Sequence, residues 1–222
     1  MISRIRAVIF DLDGTLVDSA EEITLALDAA FFELGLRPLS REAVQALIGR
    51  GVRSLVERAL PQAGGLPAQV DHAVERFEHA YDRIVGTRAE LFPGVMRGLE
   101  MLGTAKLPMS VVTNKPRAFT QRLLARLGVE EFLTAMVAGD DGIPRKPSAD
   151  MLIAACASMA TSAGATLMLG DSDNDVIAAR SAGCPVWCVP YGYNEGRGPD
   201  TLACDRLVPT VEEAARLILA QA

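Results

Sequence analysis

The sequence has few aromatic residues, very few lysines and no excess of basic charge. Aromatic residues make up 5% of the 222 residues, and lysine occurs only as Lys106, Lys115 and Lys146. Lys and Arg total 22 against 28 Asp and Glu, which gives a formal net charge of −6. Because nucleic-acid-binding proteins normally concentrate basic charge on one face, this balance argues against a nucleic-acid partner.

Cysteine and histidine are also scarce. The four cysteines are Cys156, Cys184, Cys188 and Cys204. None of them forms the closely spaced pair typical of zinc sites, and the two histidines lie far from them in the sequence. We therefore expect no zinc site. We expect buried free thiols in a reducing compartment, which indicates the cytoplasm.

Long hydrophobic runs are missing, although half of the residues are hydrophobic. Residues 151–170 carry no charge, but Ser158, Thr161 and Ser162 make the segment too polar to face lipid. The first apolar run, at residues 7–10, is too short for the hydrophobic region of a signal peptide. We therefore expect a globular protein without a membrane partner, either a monomer or a homodimer.

Short apolar runs separated by polar residues and glycine predict the strands of a sheet. They lie at residues 7–10, 109–112, 135–138, 166–169 and 186–189. Because they show no strict alternation, they are typical of parallel strands covered on both faces. Helical patterns occupy residues 117–127, 148–159, 173–182 and 212–220. The alternation predicts an α/β fold with a doubly wound, Rossmann-like parallel sheet.

The segment between the first two predicted strands is far longer than one crossover helix requires. One apolar face at helical spacing is formed by Ala20, Ile23, Leu27, Ala30, Phe31 and Leu34. Ser40 is a good N-cap for a helix through Ile48, and further helices are predicted at 52–60 and 68–85. We predict an all-helical cap domain at residues 17–87, inserted into a core domain formed by residues 1–16 and 88–222.

Polar side chains follow four of the predicted strands. The sequence after the first strand is DLDGT at 11–15, and the sequence after the fourth is GDSDND at 170–175. Thr113, Asn114 and Lys115 follow the second strand, and Lys146 follows the third. Each motif alone has an ordinary explanation, and we expect Asp173 to cap the helix that it precedes. Together they indicate a ligand site, because open α/β sheets bind ligands at the carboxyl ends of their strands.

Converging carboxylates require a partner of opposite charge. Two like charges about 4 Å apart repel by roughly 4 kcal/mol at an effective dielectric constant of about 20. A hard divalent cation relieves this repulsion, and Mg²⁺ suits a site with few carboxylates and a phosphate. One carboxylate can then attack phosphorus, while a second protonates the leaving oxygen and later deprotonates water. This set of residues therefore predicts phosphoryl-transfer chemistry.

The four motifs resemble, in order and spacing, the signature motifs of the haloacid dehalogenase-like hydrolase superfamily. The first is DLDGTLVDS at 11–19, the second VVTNK at 111–115, the third KP at 146–147 and the fourth GDSDND at 170–175. The resemblance covers nearly the whole chain, with a helical cap inserted after the first motif. It implies Asp11 as the nucleophile and Asp13 as the general acid and base.

The resemblance also implies a metal site and a phosphate site. Mg²⁺ would be held by Asp11, by the backbone carbonyl of Asp13 and by Asp171, with Asp175 as a further ligand or as support for the metal. The transferring phosphoryl group would be bound by Thr113, Asn114 and Lys146.

The cap is expected to select the substrate. Arg50, beside glycines and near Arg53, could pair with a substrate carboxylate, although a solvated surface arginine is nearly as good an interpretation. His72 and His79 share one helical face and are best interpreted as exposed positions. Cap closure would exclude water, with hinges at residues 16–18 and 86–92.

Departures from the family pattern argue against dehalogenation, phosphonate cleavage and mutase activity. Asp13 is the residue that true dehalogenases lack, and residues 17–87 contain no lysine for Schiff-base phosphonate cleavage. Ile23 and Thr24 stand where related mutases carry a cap histidine. A Mg²⁺-dependent phosphomonoesterase remains, acting on a small phosphorylated substrate.

Two weaker resemblances point to a substrate. Bacterial phosphoglycolate phosphatases have similar stretches at residues 46–51 with 55–60, and at YGYN 191–194. This resemblance implies 2-phosphoglycolate as the substrate. A broader sugar-phosphate or nucleotide phosphatase is the alternative. A receiver-like phosphoacceptor module is disfavoured by the Asp11 and Asp13 pair, by the Gly14-Thr15 that follows, and by the large helical insertion.

Overall fold

The computed structural model of the protein describes residues 5–221, so the first four residues of the predicted core domain and Ala222 lie outside the described residues. The strands are β1 (Ala7–Phe10), β2 (Val17–Asp18), β3 (Glu90–Leu91), β4 (Met109–Val112), β5 (Ala135–Val137), β6 (Thr166–Gly170), β7 (Val186–Cys188) and β8 (Arg206–Leu207). Six of them form one sheet in the order β5-β4-β1-β6-β7-β8, and every neighbouring pair is parallel. The predicted α/β fold with a doubly wound parallel sheet is confirmed.

Helices cover both faces of this sheet. They are α1 (Ala20–Glu33), α2 (Arg41–Gln45), α3 (Val52–Ala59), α4 (Val70–Ile84), α5 (Val95–Thr104), α6 (Arg117–Arg126), α7 (Asp150–Ser158), α8 (Asp173–Ala182) and α9 (Val211–Leu219). Alternate residues of β1 enter different hydrophobic clusters, because successive side chains of a strand point to opposite faces. Val8 packs on the side of α5, α6 and α9, whereas Ile9 packs on the side of α7 and α8.

Two predicted helix ends differ from the structure. The predicted cap residue Asp173 is instead the first residue of α8, and Ser172 is the N-cap with an extended backbone. The Asp175 carboxylate accepts a hydrogen bond from the backbone N–H of Ser172, and Asp173 pairs with Arg197. Ser40 does cap α2, but that helix ends at Gln45 rather than continuing through Ile48.

The four cysteines are free thiols, as predicted, although Cys204 is only partly buried. The uncharged segment at residues 151–170 is divided between α7 and β6. None of the helices within residues 5–221 is long and apolar enough to cross a membrane.

The predicted hinge segments pair with each other. Strands β2 and β3 form a two-stranded antiparallel ribbon, with Val17 opposite Leu91 and Asp18 opposite Glu90. Between them the regular elements are helical, and α1 packs against α2 and α4. The helices thus leave and re-enter the core side by side. The boundaries at residues 16/17 and 87/88 stay a prediction.

Candidate active site

The carboxyl ends of four parallel strands bring the predicted site residues together. Asp11 follows β1 and Asp171 follows β6, while Lys146 comes from the loop after β5. The Nζ atom of Lys146 lies 2.7 Å from Asp11 Oδ1 and 2.7 Å from Asp175 Oδ1. Thr113, at the end of β4, lines the same cavity as Asp11. The fold therefore joins motifs that are far apart in the sequence.

Three buried carboxylates form an oxygen cluster. One carboxylate oxygen of each of Asp11, Asp171 and Asp175 lies within 4.8 Å of the others. Asp171 accepts a hydrogen bond from the Thr15 hydroxyl at 2.9 Å and another from the backbone N–H of Tyr193 at 2.7 Å. A Cβ added at Gly192 would lie 2.1 Å from the Cβ of Asp171. Only a glycine at this position therefore allows the loop backbone to lie so close to Asp171.

Burial makes this cluster costly while its charges are unneutralised. Burial, followed by the charge of Asp175, raises the pKa of Asp171 to about 7, against hydrogen bonds from Tyr193 and Thr15. Burial likewise raises the pKa of Asp11 well above its usual range, although the positive charge of Lys146 opposes the shift. Oxygen-only ligands that share this excess of negative charge fit a hard divalent cation. The residues present therefore fit Mg²⁺.

Asp175 has a second role in the cluster. Its Oδ1 accepts from Lys146, and its Oδ2 accepts from the Ser172 hydroxyl at 2.8 Å and the Ser172 backbone N–H at 3.1 Å. Both oxygens are thus engaged by protein groups. Asp175 therefore holds Lys146 and the loop after β6 in position, beside the carboxylates of Asp11 and Asp171.

The amide of Asn114 is placed differently from the predicted phosphate contact. Its Oδ1 accepts from the backbone N–H of Lys146 at 3.0 Å, and its Nδ2 donates to the Lys146 carbonyl at 2.9 Å. The same Nδ2 also donates to the Gly49 carbonyl of the cap segment at 2.9 Å. Both ends of the amide are therefore occupied in positioning Lys146 and in joining cap to core.

Asp13 is bound by Lys115, a residue to which the sequence assigned no role. The Lys115 Nζ lies 3.0 Å and 3.2 Å from the two carboxylate oxygens of Asp13, and the Ser19 hydroxyl donates to Asp13 at 2.6 Å. The ammonium also lies 4.7 Å from the centre of the Tyr81 ring on α4. The available signal was its position: it is one of three lysines and stands directly beside two predicted site residues.

A buried glutamate connects the helical insertion to the second predicted hinge segment. Glu22 on α1 has no solvent exposure, and it accepts a hydrogen bond from the Tyr81 hydroxyl at 2.8 Å. Its other oxygen accepts from the backbone N–H groups of Gly86 at 2.8 Å and Ala89 at 3.2 Å. The Tyr193 hydroxyl in turn accepts from the backbone N–H of Ser19 at 2.9 Å, at the start of the same helix. These contacts fix the cap helices against both connecting segments.

The arginines predicted to reach the substrate lie elsewhere. Arg50 is more than half exposed and pairs with Glu195, with its Nη2 2.8 Å from Glu195 Oε2. Arg53 pairs with Asp71 at 2.7 Å on the outer surface. Neither lines the cavity that contains Asp11 and Asp13. The exposed histidines His72 and His79 contact arginines of their own helix.

The cavity itself is small, with a volume of about 50 Å³, and its two sides differ in character. The core side is polar and consists of Asp11, Asp13, Thr113, Asn114 and Lys115 together with the ring of Phe119. The cap side is largely apolar and consists of Ile23, Ile48, Gly49, Gly51, Val52, Leu55, Phe77 and Tyr81. A ligand here would meet charge on one side and hydrocarbon on the other.

The chain is similar to known proteins over almost its full length. A family model described as haloacid dehalogenase-like hydrolase matches residues 8–189. A protein named phosphoglycolate phosphatase from Nitrosospira multiformis is 39% identical over 219 residues, covering 96% of each chain. One of the same name from Thiobacillus denitrificans is 38% identical, again covering 96% of each chain. A crystal structure described as a predicted phosphoglycolate phosphatase from Haemophilus somnus 129pt superposes with a TM-score of 0.92 at 28% identity, covering 98% of this chain and 99% of that one.

Proposed function

The chain belongs to the haloacid dehalogenase-like hydrolase family, and on this premise we propose that it is a Mg²⁺-dependent phosphomonoesterase that hydrolyses 2-phosphoglycolate through an aspartyl phosphate on Asp11. The observation that carries the proposal is the position of Asp11. Its carboxylate lies 2.7 Å from the ammonium of Lys146 and within 4.8 Å of a carboxylate oxygen of Asp171, and it lines the cavity. The names of the relatives support the choice of substrate.

In the first step the Asp11 carboxylate attacks phosphorus and forms a new P–O bond. The bond from phosphorus to the leaving oxygen breaks, and that oxygen keeps the electron pair and takes a proton from Asp13. Lys146 holds Asp11 Oδ1 at 2.7 Å, so the carboxylate is oriented before substrate arrives.

In the second step Asp13 removes a proton from water. The resulting oxygen attacks phosphorus, the P–O bond to Asp11 breaks, and phosphate is released. Thr113 lines the cavity next to Asp11, where its hydroxyl can donate to a phosphoryl oxygen. The apolar cap side of the cavity keeps other water away from the acyl phosphate.

Mg²⁺ would be held by Asp11, Asp171 and the backbone carbonyl of Asp13, with Asp175 supporting the site. When bound, the ion would neutralise carboxylate charge and let an anionic phosphate approach. The excess of buried carboxylates over the single ammonium of Lys146 supports this assignment.

Cavity size supports a small leaving group. A volume of about 50 Å³ is far below the roughly 300–1,000 Å³ typical of sites for drug-sized ligands. Phosphoglycolate adds only one methylene and one carboxylate beyond its phosphate, so it needs less room than a sugar phosphate or a nucleotide. The four free thiols fit the proposed cytoplasmic location, and we expect a monomer or a homodimer.

Phosphate release tests the proposal. Wild type and Asp11→Asn are compared on phosphoglycolate, sugar phosphates and nucleotides, with Mg²⁺ or with a chelator. We expect phosphoglycolate to give the highest kcat/KM, and Asp11→Asn to lower kcat at least about 10³-fold while folding normally. Equal activity of the two proteins would remove Asp11 as nucleophile. A preference for sugar phosphates would replace the substrate and leave the mechanism in place.

A further inference from the structure

The leaving group of phosphoglycolate carries a negative charge that needs its own partner in the cavity. A buried carboxylate without a cation or hydrogen-bond donors is strongly unfavourable. Lys146 is bound between Asp11 and Asp175 and belongs to the phosphoryl site. Arg50, the arginine expected to supply the cation, is bound to Glu195 outside the cavity. The partner must come from another residue.

Lys115 is the one cationic side chain among the residues that line this cavity, within the described residues 5–221. Its side chain is 5% exposed. Asp13 holds the ammonium on one side, with N–O distances of 3.0 Å and 3.2 Å, and the face of the Tyr81 ring holds it on another. The Tyr81 ring is itself fixed by its hydrogen bond to Glu22. The charge is therefore fixed in position between core and cap.

The contact with Asp13 places this charge near the right atoms of the substrate. A general acid must come within hydrogen-bond distance of the oxygen that it protonates. Because Lys115 Nζ lies 3.0 Å from an oxygen of the same carboxylate, we expect its ammonium to lie near the atoms just beyond the ester oxygen. In phosphoglycolate a single methylene separates the ester oxygen from the carboxylate. The carboxylate would thus reach the ammonium without leaving the cavity.

Among the described residues that line the cap side, no other side chain offers this carboxylate a free donor. Ile48, Val52, Leu55 and Phe77 form the cap side of the cavity, and the Tyr81 hydroxyl is already used by Glu22. In such apolar surroundings a charge-assisted hydrogen bond is stronger than in water.

We propose that Lys115 is a specificity-determining residue that binds the carboxylate of the leaving group, with Tyr81 of the cap holding the ammonium in position. The inference rests on the proposed function, because it assumes a phosphomonoester with an acidic leaving group. It assigns selection of the substrate to the second core motif, whereas the sequence pointed to the cap arginines.

Binding of two unreactive analogues tests this assignment without turnover. 3-Phosphonopropionate keeps both anionic groups of phosphoglycolate, and propylphosphonate lacks the carboxylate. Calorimetry in Mg²⁺ buffer should show that wild type prefers 3-phosphonopropionate by at least about 30-fold. Lys115→Met, and Lys115→Gln as a variant that keeps a donor for Asp13, should each bind the two analogues equally well. Lys106→Met, the matched change at an exposed lysine, should keep the wild-type preference.

Other results would overturn the assignment. It fails if wild type shows no preference, if both Lys115 variants retain the preference, or if Arg50→Gln removes it while Lys115→Gln does not. A wild type that prefers 3-phosphonopropionate but releases no phosphate from phosphoglycolate supports the role of Lys115 and contradicts the proposed function. The two claims are thereby tested separately.

Discussion

Around the cavity, the core and the cap differ in where their charged side chains lie: the core buries them and the cap exposes them. In the core, where it contacts the cavity residue Asp11, Lys146 is almost fully buried, with 2% of its side chain exposed and two carboxylates 2.7 Å away. On the cap side the arginines lie outside, where Arg50 is 53% exposed and pairs with Glu195. Within the cavity the cap contributes mostly hydrocarbon. The core therefore supplies fixed charge for chemistry, and the cap supplies enclosure.

This contrast also predicts where substitutions are costly. Removing one member of a buried ion pair leaves an uncompensated charge in a medium that solvates it poorly. Removing one member of a surface pair leaves a charge that water and salt can screen. Substitutions in the core should therefore have larger effects than matched substitutions at the exposed cap arginines.

Lys146→Met should destabilise the protein by about 3–5 kcal/mol, because Asp11 and Asp175 would lose the cation between them. Arg50→Gln also removes one positive charge, but its exposed pair should change the stability by less than about 1 kcal/mol. Urea unfolding of both variants measures the difference. The contrast between core and cap is lost if the two substitutions cost the same.

The stability of the metal-free protein should depend on pH through Asp171. Burial, with the charge of Asp175, raises the pKa of Asp171 to about 7 in the folded protein, compared with 3.8 for an unperturbed Asp. Between about pH 4 and pH 7 the metal-free folded state therefore keeps a proton on Asp171 that the unfolded state releases. This group contributes stability below about pH 4 that is lost as the pH rises through about 7.

Mg²⁺ should therefore stabilise the protein by several degrees in Tm above pH 7 and much less near pH 5, where it competes with the proton. Thermal unfolding with a chelator or with Mg²⁺, across this pH range, measures the effect. In Asp171→Asn the pH dependence of the metal effect should largely vanish. An equal Mg²⁺ effect at pH 5 and pH 8 in wild type would be inconsistent with this account.

The smallest expected effect is at the cap hinge. Glu22→Gln replaces one of the two acceptor oxygens with an NH₂ group that cannot accept, so the hydrogen bond from Tyr81 or those from Gly86 and Ala89 are lost. We expect a loss of about 1–3 kcal/mol in urea unfolding. Glu21→Gln is the matched control, because Glu21 is exposed on the same helix, and it should change stability by less than about 0.5 kcal/mol. Equal effects would mean that the buried contacts of Glu22 do not hold the cap.

Much of the fold could be predicted because the central strands are covered on both faces. Their apolar runs are visible without knowledge of their neighbours, and the five predicted strands match β1, β4, β5, β6 and β7 to within one residue. The two-residue strands β2, β3 and β8 carry no such signal, since their pairing depends on the segment that they meet. Helix α5 was also not predicted. Its N-cap is Gly94, whose backbone is in the left-handed region.

The site was predictable to the extent that strand ends determine it. Asp11, Asp171 and Lys146 meet because parallel strands end at one edge of the sheet. The contact of Asn114 with Gly49 and the contacts of Lys115 and Glu22 with Tyr81 depend on how the cap helices pack, which spacing along the chain does not give. No motif or pattern in the sequence marks Glu22 as buried, because its donors come from α4 and from the second predicted hinge segment.

The most direct test of the central claim is chemical trapping of phosphorylated Asp11. Wild type is mixed with phosphoglycolate and Mg²⁺, quenched within one turnover and reduced with borohydride, which converts an acyl phosphate of aspartate to homoserine. We predict homoserine at position 11 by peptide mass spectrometry, with Asp13, Asp171 and Asp175 unchanged. Phosphate release without any modification of Asp11, or with modification at another carboxylate, would contradict the account.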